Sequence, residues 1–151
     1  MEKLKRVVGI AFLENGKLLI VKSKRSNTTN SWTLVGGGIE SGETEITAAL
    51  REINEEIGQG FEFCEEDLIP IMCFKEAAAS DSDIIIEMNM FLSKKTIHVK
   101  LIPNDEIIDY HWYSLGETNY NLSSSILDHF IPYAIQKGLI FLQNEKKLLH
   151  N

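Results

Sequence analysis

An α/β fold is what this sequence predicts, on three observations. The chain has 151 residues, 44% of them hydrophobic, which suits one domain with a real core, since a chain of this size buries about 70% of its unfolded surface. Short runs rich in β-branched residues lie on both sides of a central stretch, as strands do. Inside that stretch Ile46, Ala49, Leu50, Ile53 and Ile57 fall on one arc at about 100° per residue, so an amphipathic helix must bury that face. A single domain over residues 1–151 is expected, with about residues 143–151, which end in NEKKLLHN, fraying.

LKRVVGIAFL and KLLIVKSKR read as two strands of a hairpin, because Asn15-Gly16 between them supplies the positive φ angles of a tight turn. KRSNTTNSW is polar and reads as a flexible loop, and its basic group, Lys22, Lys24 and Arg25, suits a solvated strand end better than a phosphate site. Trp32 to Val35 forms a short strand leading into a glycine loop. Gly36, Gly37, Gly38 and Gly42 let the backbone there approach an ion or a phosphate closely. The helix starts near Glu43 or Thr44 and stops by Gly58. FEFCEED, LIPIMCFKEAA, DIIIEMNMFLSK, TIHVKLI and IDYHWYSL complete the strands, the third apolar enough to be buried, with AAASDSD and PNDE as turns. From Ser123 to Lys137, apolar residues at 126, 127, 130, 131, 134 and 135 predict a second helix, capped by serine, kinked or restarted at Pro132 and ended by Gly138.

A formal net charge of −7 argues against nucleic acid or an anionic membrane as the main partner, because both reward basic patches. A polyanionic small molecule would also be repelled unless metal ions came with it. Cys64 and Cys73 lack zinc-site spacing and read as two reduced core thiols. MEKLKRVVGIAF lacks the apolar run of a signal peptide, and no stretch approaches the ~18 apolar residues of a membrane span, so a cytoplasmic location is expected.

Chemistry points to the acids of the central helix. Glu52, Glu55 and Glu56 share the arc beside the apolar one, where like charges at i, i+3 and i, i+4 repel and Arg51 is the adjacent cation. Alone, such a face reads first as a solvated acidic surface. With a glycine run in front of it, it reads as a set of hard oxygen donors for Mg²⁺ or Mn²⁺, ions that bind through a few carboxylates plus substrate phosphates.

The stretch resembles the Nudix box, G-x5-E-x7-R-E-U-x-E-E-x-G-U with U aliphatic, in Gly37, Glu43, Arg51, Glu52, Ile53, Glu55, Glu56 and Gly58, eight of nine specified positions over 23 residues. Gln59 stands at the closing aliphatic position, and Val35 where many members carry proline. Neither departure removes a proposed ligand. The resemblance implies a Nudix-type α/β/α sandwich, a mixed sheet between helices. It implies that Glu55 and Glu56 bind metal, that Glu52 is a further ligand or the base that orients water, and that a carbonyl of Gly36 or Gly37 completes the shell, Gly37 being the one chosen here. Glu43 and Arg51 it makes structural. Some members use a further acid outside the box, and Glu106 lies in the matching segment.

Glu87, inside an apolar run, would need a partner if buried. His98 and His111 read as ordinary sheet histidines, and Trp32, Phe74, Tyr110, Trp112 and Tyr120 as core aromatics that could also stack a base. The expected activity is metal-dependent hydrolysis of a nucleoside diphosphate linked to X. A nucleoside triphosphate is the favoured substrate, and ADP-ribose or another sugar nucleotide the alternative. A non-catalytic nucleotide-binding module is the alternative of another class. The expected partner is a nucleotide, with no nucleic acid and no membrane, and a homodimer stays open because two chains could build a larger pocket.

Overall fold

The computed structural model describes residues 3–78 and 81–142; the expected fraying at 143–151 and part of the AAASDSD turn lie outside them. The described chain forms two compact units. The first holds residues up to Phe12 together with Val35–Leu101, and the second holds Leu13–Leu34 and residues from Ile102 onward.

The first unit is built on a four-stranded mixed sheet. Strand β1 (Lys3–Ala11) runs antiparallel to β4 (Val35–Gly38) and parallel to β6 (Ile84–Ser93), which pairs antiparallel with β5 (Leu68–Ala77). Helix α2 (Glu45–Glu56) packs on β4 and β1. Thr44 caps it, its hydroxyl accepting from the Thr47 N–H at 3.2 Å, and Glu45 sits favourably at the positive end of the dipole. Gly58, with φ of 57°, ends it after the Ile57 cap. Full burial of Ile53 and Ile57 contributes about 1.5–3 kcal/mol each.

The face α2 buries is not quite the predicted one. Ala48, Ala49, Glu52, Ile53, Glu56 and Ile57 are buried, while Ile46 and Leu50 are only half-buried. The buried arc is therefore rotated toward the carboxylates by roughly 60°. The reason lies in β4. Its three glycines, expected as a loop, are part of a strand and leave a strip of sheet without side chains, and the helix settles onto that strip.

Other differences have equally local causes. LKRVVGIAFL and KLLIVKSKR do not form one hairpin, because the chain changes sheet at Phe12. The Asn15-Gly16 turn, with φ of 52° and 74°, joins only β2 (Leu13–Glu14) to β3 (Lys17–Ser23). FEFCEED is no strand. Phe61 and Phe63 gather with Phe12 at centroid distances of 5.4–6.4 Å, and a 3-10 turn over Glu65–Asp67 follows. TIHVKLI is irregular, held by buried Ile97 and by His98 at 5.2 Å from the Phe61 ring, so His98 is not a sheet histidine. Strand β6 is mostly half-buried, with only Met90 and Phe91 buried, and Cys64 and Cys73 are exposed free thiols rather than core ones.

The second unit carries the antiparallel sheet β2-β3-β7, with β7 at Ile107–Tyr113. The polar segment after β3 opens with a short helix, α1 (Lys24–Asn27), rather than a loop, because Ser23 and Ser26 form a reciprocal capping box. Trp32 and Thr33 make isolated bridges, to Leu122 and Val21, rather than a strand. The second helix divides as Pro132 requires. A π-helical segment, Ser125–Phe130, lets the Ile131 N–H reach the Ile126 carbonyl, and α3 (Ile131–Gln136) restarts with the proline in its first turn. Ser124 makes no side-chain cap bond, and Leu127 and Ile135 are exposed rather than core. Gly138, with φ of 70°, ends the helix as expected.

Gly36 and Gly38 provide a test of the side-chain-free strip. Gly36 has φ of 153°, and a Cβ on it would collide with the Val8 carbonyl oxygen, whereas a Cβ on Gly38 meets nothing within 4 Å. Gly36→Ala is expected to cost about 2 kcal/mol or more, roughly 4–8 °C in Tm. Gly38→Ala should stay within about 0.5 kcal/mol of the parent. Thermal melts of the two variants check the contrast.

Candidate active site

All box residues lie in the first unit, on β4, on the turn before α2, on α2 and just past its C-terminal end. Glu56 is 5% exposed, and its carboxylate accepts from the Gly36 N–H at 3.0 Å. Glu52 is 8% exposed and lies against Gly37, where a Cβ would stand 2.5 Å from the Glu52 Oε1 atom. Neither is the surface acid that the helical wheel suggests. Glu55, one position before Glu56, is exposed.

Arg51 binds this arrangement together. Its Nε donates to Glu43 Oε2 at 2.8 Å and its Nη2 to Glu43 Oε1 at 2.9 Å, a bidentate pair spanning two turns of the box. The same Nη2 donates to the Gly38 carbonyl at 2.9 Å, and Nη1 reaches Glu52 at 3.0 Å and Glu55 at 3.3 Å. Glu43 in turn accepts from the Glu40 N–H at 2.8 Å, which closes the loop before the helix. The Arg51 guanidinium, followed by the Glu40 N–H, holds the Glu43 carboxyl down at about 2 from an ordinary 4.5. The Glu43 carboxylate, with Glu52 behind it, raises the Arg51 pKa above its ordinary value. The structural pairing of Glu43 with Arg51 is thus present, and Arg51 also grips two of the three candidate metal ligands.

A hard divalent ion suits the donors here by type: the carboxylates of Glu52, Glu55 and Glu56 and the carbonyl of Gly37 are all oxygen, and the missing Cβ at Gly37 keeps room beside Glu52. Among the described residues no three acidic, histidine or cysteine side chains converge as a ready cage. Glu52 and Glu55 are turned to Arg51 and Glu56 to Gly36.

A polar anchor that sequence reading passed over sits at the other end of α2. Arg6 on β1 donates from Nε to Glu87 Oε2 at 2.7 Å and from Nη2 to Glu45 Oε1. Glu87 therefore has the partner that its place in an apolar run demands, and Arg6 and Asn89 hold its carboxyl below the usual range. Finding it needed the parallel register that sets Arg6 opposite Glu87.

Glu106 belongs to the second unit, exposed in the turn before β7, with its backbone N–H bonded to Asn104 Oδ1 at 2.8 Å. His111 is indeed on a strand. It stacks on Tyr120 at 4.1 Å between centroids, and its Nε2 lies 3.0 Å from Glu117. Trp32, 7% exposed, meets Tyr120 edge-on at 5.3 Å, so it is the core aromatic it was read as.

The Glu43–Arg51 pair makes stability depend on acid. A carboxyl whose folded pKa is depressed contributes stability above its unfolded pKa and loses it as pH falls through the folded one, here between about 4.5 and about 2. Glu43→Gln should be less stable than the parent at pH 6, with the gap narrowing at pH 2.5. Urea midpoints at both pH values check this, and an unchanged gap would show that the pair does not titrate with folding.

The family model described as NUDIX domain matches residues 3–133. An RNA pyrophosphohydrolase of Ruthia magnifica subsp. Calyptogena magnifica is 47% identical over 55 residues, 36% of this chain and 30% of that protein. The nucleoside diphosphate-linked moiety X motif 6 protein of Xenopus laevis is 30% identical over 132 residues, 87% of this chain and 57% of that protein. The chain therefore spans well under two thirds of the length of either relative. Among solved structures, the MutT NUDIX hydrolase from Burkholderia pseudomallei has a TM-score of 0.66 at 21% identity, covering 89% of this chain and 98% of that one, a likeness of fold. With a match that runs from β1 into α3 and a box whose Glu43–Arg51 pair is formed, the chain belongs to the Nudix hydrolase family.

Proposed function

We propose that the chain hydrolyses a nucleoside diphosphate linked to X in a divalent-metal-dependent reaction, with a nucleoside triphosphate as substrate and nucleoside monophosphate and pyrophosphate as products. The observation that carries the reading is the placement of Glu52 and Glu56 on the glycine strand, with Glu56 bonded to the Gly36 N–H. Buried carboxylates are costly to keep, and these two lie beside backbone left bare by glycine. Glu52, Glu55, Glu56 and the Gly37 carbonyl are the groups that would hold Mg²⁺ or Mn²⁺. Such an ion supplies charge neutralisation across two adjacent phosphates and a water of lowered pKa.

The chain's own part is positional and basic. Arg51 keeps Glu52 and Glu55 on the ligand side of α2 while its main bond is to Glu43. Glu52, close against Gly37, serves as ligand or as the base that orients water, and Glu106 is the further acid. The short segments around the box favour a triphosphate over a larger X group, with ADP-ribose as the runner-up. Three relatives are named for RNA pyrophosphohydrolysis, but a net charge of −7 works against an RNA backbone here. A non-catalytic binding module is disfavoured because all three carboxylates of the box remain. The family match across both units supports one catalytic domain, which we assign to the cytoplasm with no membrane partner and with dimerisation left to measurement.

One assay tests the proposal. Purified protein with saturating Mg²⁺ is offered nucleoside triphosphates, ADP-ribose, 5′-triphosphorylated RNA, nucleoside monophosphates and a simple phosphomonoester. Monophosphate and pyrophosphate from the triphosphates is the expected result, with monophosphates and monoesters inert. Glu56→Gln, whose amide oxygen still accepts from Gly36, should fold and lose about a hundredfold or more in turnover. Sugar phosphate from ADP-ribose, or cleavage of RNA alone, would replace the substrate. Cleavage of no diphosphate by folded, Mg²⁺-loaded protein would end the enzymatic reading.

A further inference from the structure

A cavity of about 510 Å³ opens between the first turn of α2 and the β5–β6 side of the sheet, a size typical of small-molecule sites. It lies roughly 16 Å along the helix from Glu56, counting 1.5 Å per residue from Glu45. Its walls are mainly apolar, with Ile46 from the helix and Pro70, Ile71 and Phe91 from the strands.

The polar groups in the wall are few, and they are of one kind. Asn89 uses its amide nitrogen on the protein itself, donating to the Val7 carbonyl and to Glu87 Oε2 at 3.2 Å each, so what it offers a ligand is its carbonyl oxygen. Glu45 offers a carboxylate, and its own backbone N–H and Arg6 keep it ionised. The Thr44 hydroxyl is already engaged with Thr47, at 2.8 Å to its hydroxyl and 3.2 Å from its N–H. The neighbouring cations do not line the space. Arg6 is spent on Glu45 and Glu87, and Lys75 stands opposite Glu87 in the β5–β6 register. Among the described residues, the lining side chains therefore present acceptors on an apolar wall, with the Cys73 thiol as a weak donor at most.

From this we propose that the cavity is a second ligand site, separate from the carboxylates of the box, and that it takes a compact apolar amine, an aromatic or alicyclic body carrying its own N–H donors. The body fills the space between Ile46, Pro70 and Phe91, and the amino group reaches Glu45 and the Asn89 carbonyl. An acid of the same shape would set a second carboxylate against Glu45 and is excluded by that repulsion.

Cys73 in the wall provides the readout. In a Cys64→Ser background it is the remaining cysteine, since the chain has 2. Its alkylation rate by N-ethylmaleimide is followed while 1-naphthylmethylamine, 1-naphthalenemethanol or 1-naphthoate is titrated in, and the methyl resonances of Ile46 and the ring resonances of Phe91 are recorded in parallel. The amine should protect Cys73 saturably and shift the Ile46 and Phe91 signals, at least tenfold more tightly than the alcohol, with the acid inert. Ile46→Trp, which fills the space from a half-buried position, should abolish protection, and Glu45→Gln should bring the amine down toward the alcohol. Equal protection by amine and acid, no protection by any of the three, or amine binding unchanged in Glu45→Gln would each overturn the assignment.

Discussion

The bond from the Gly36 N–H to the Glu56 carboxylate is the contact on which the rest of the site depends. A carboxylate at 5% exposure is tolerable only with a donor close by, and a backbone N–H facing out of a strand is such a donor. It can be reached because Gly36 and Gly37 carry no side chains, which lets the acidic face of α2 lie directly on the sheet. The rotation of the buried face, the closeness of Glu52 to Gly37 and the half-exposure of Ile46 and Leu50 all follow from that approach.

Arg51 solves the problem this creates. Three carboxylates within two turns of a helix repel one another, and the guanidinium answers two of them from Nη1 while its other nitrogens are fixed by Glu43 and the Gly38 carbonyl. The loop residue Glu43 therefore acts on the helix through a single side chain. At the opposite end, Arg6 does comparable work in tying the first turn of α2 to β1 and β6 through Glu45 and Glu87. The helix is held by charge at both ends and by Ala49, Ile53 and Ile57 between them.

Much of this was legible in the residues. The limits of α2 follow from Thr44 and Gly58 to within a residue or two, the Glu43–Arg51 pair from the resemblance of the box, and the break at Pro132 from the missing N–H. What was not legible depends on partners distant in the chain. A run of three glycines carries no strand propensity of its own and becomes a strand because β1 pairs with it. LKRVVGIAFL resembles half of a hairpin until β6 takes it in parallel. TIHVKLI alternates like a strand yet finds no ladder, and Ile97 and His98 spend their burial and ring contacts on an aromatic cluster around Phe61 instead. The wheel placed Glu52 and Glu56 beside the apolar arc correctly. Their burial could not be read from α2 alone, because it is set by glycines on another element.

The account stands most directly on Gly37. A Cβ there would stand 2.5 Å from the Glu52 carboxylate oxygen and must displace it, yet Gly37, unlike Gly36, needs no positive φ. Turnover of Gly37→Ala on the preferred nucleotide at saturating Mg²⁺, measured beside its Tm, is the decisive measurement. A folded variant with Tm within about 4 °C of the parent and turnover at least tenfold lower is the predicted result. A folded variant with parental turnover would contradict the claim that the bare glycine strand positions the carboxylates proposed for catalysis.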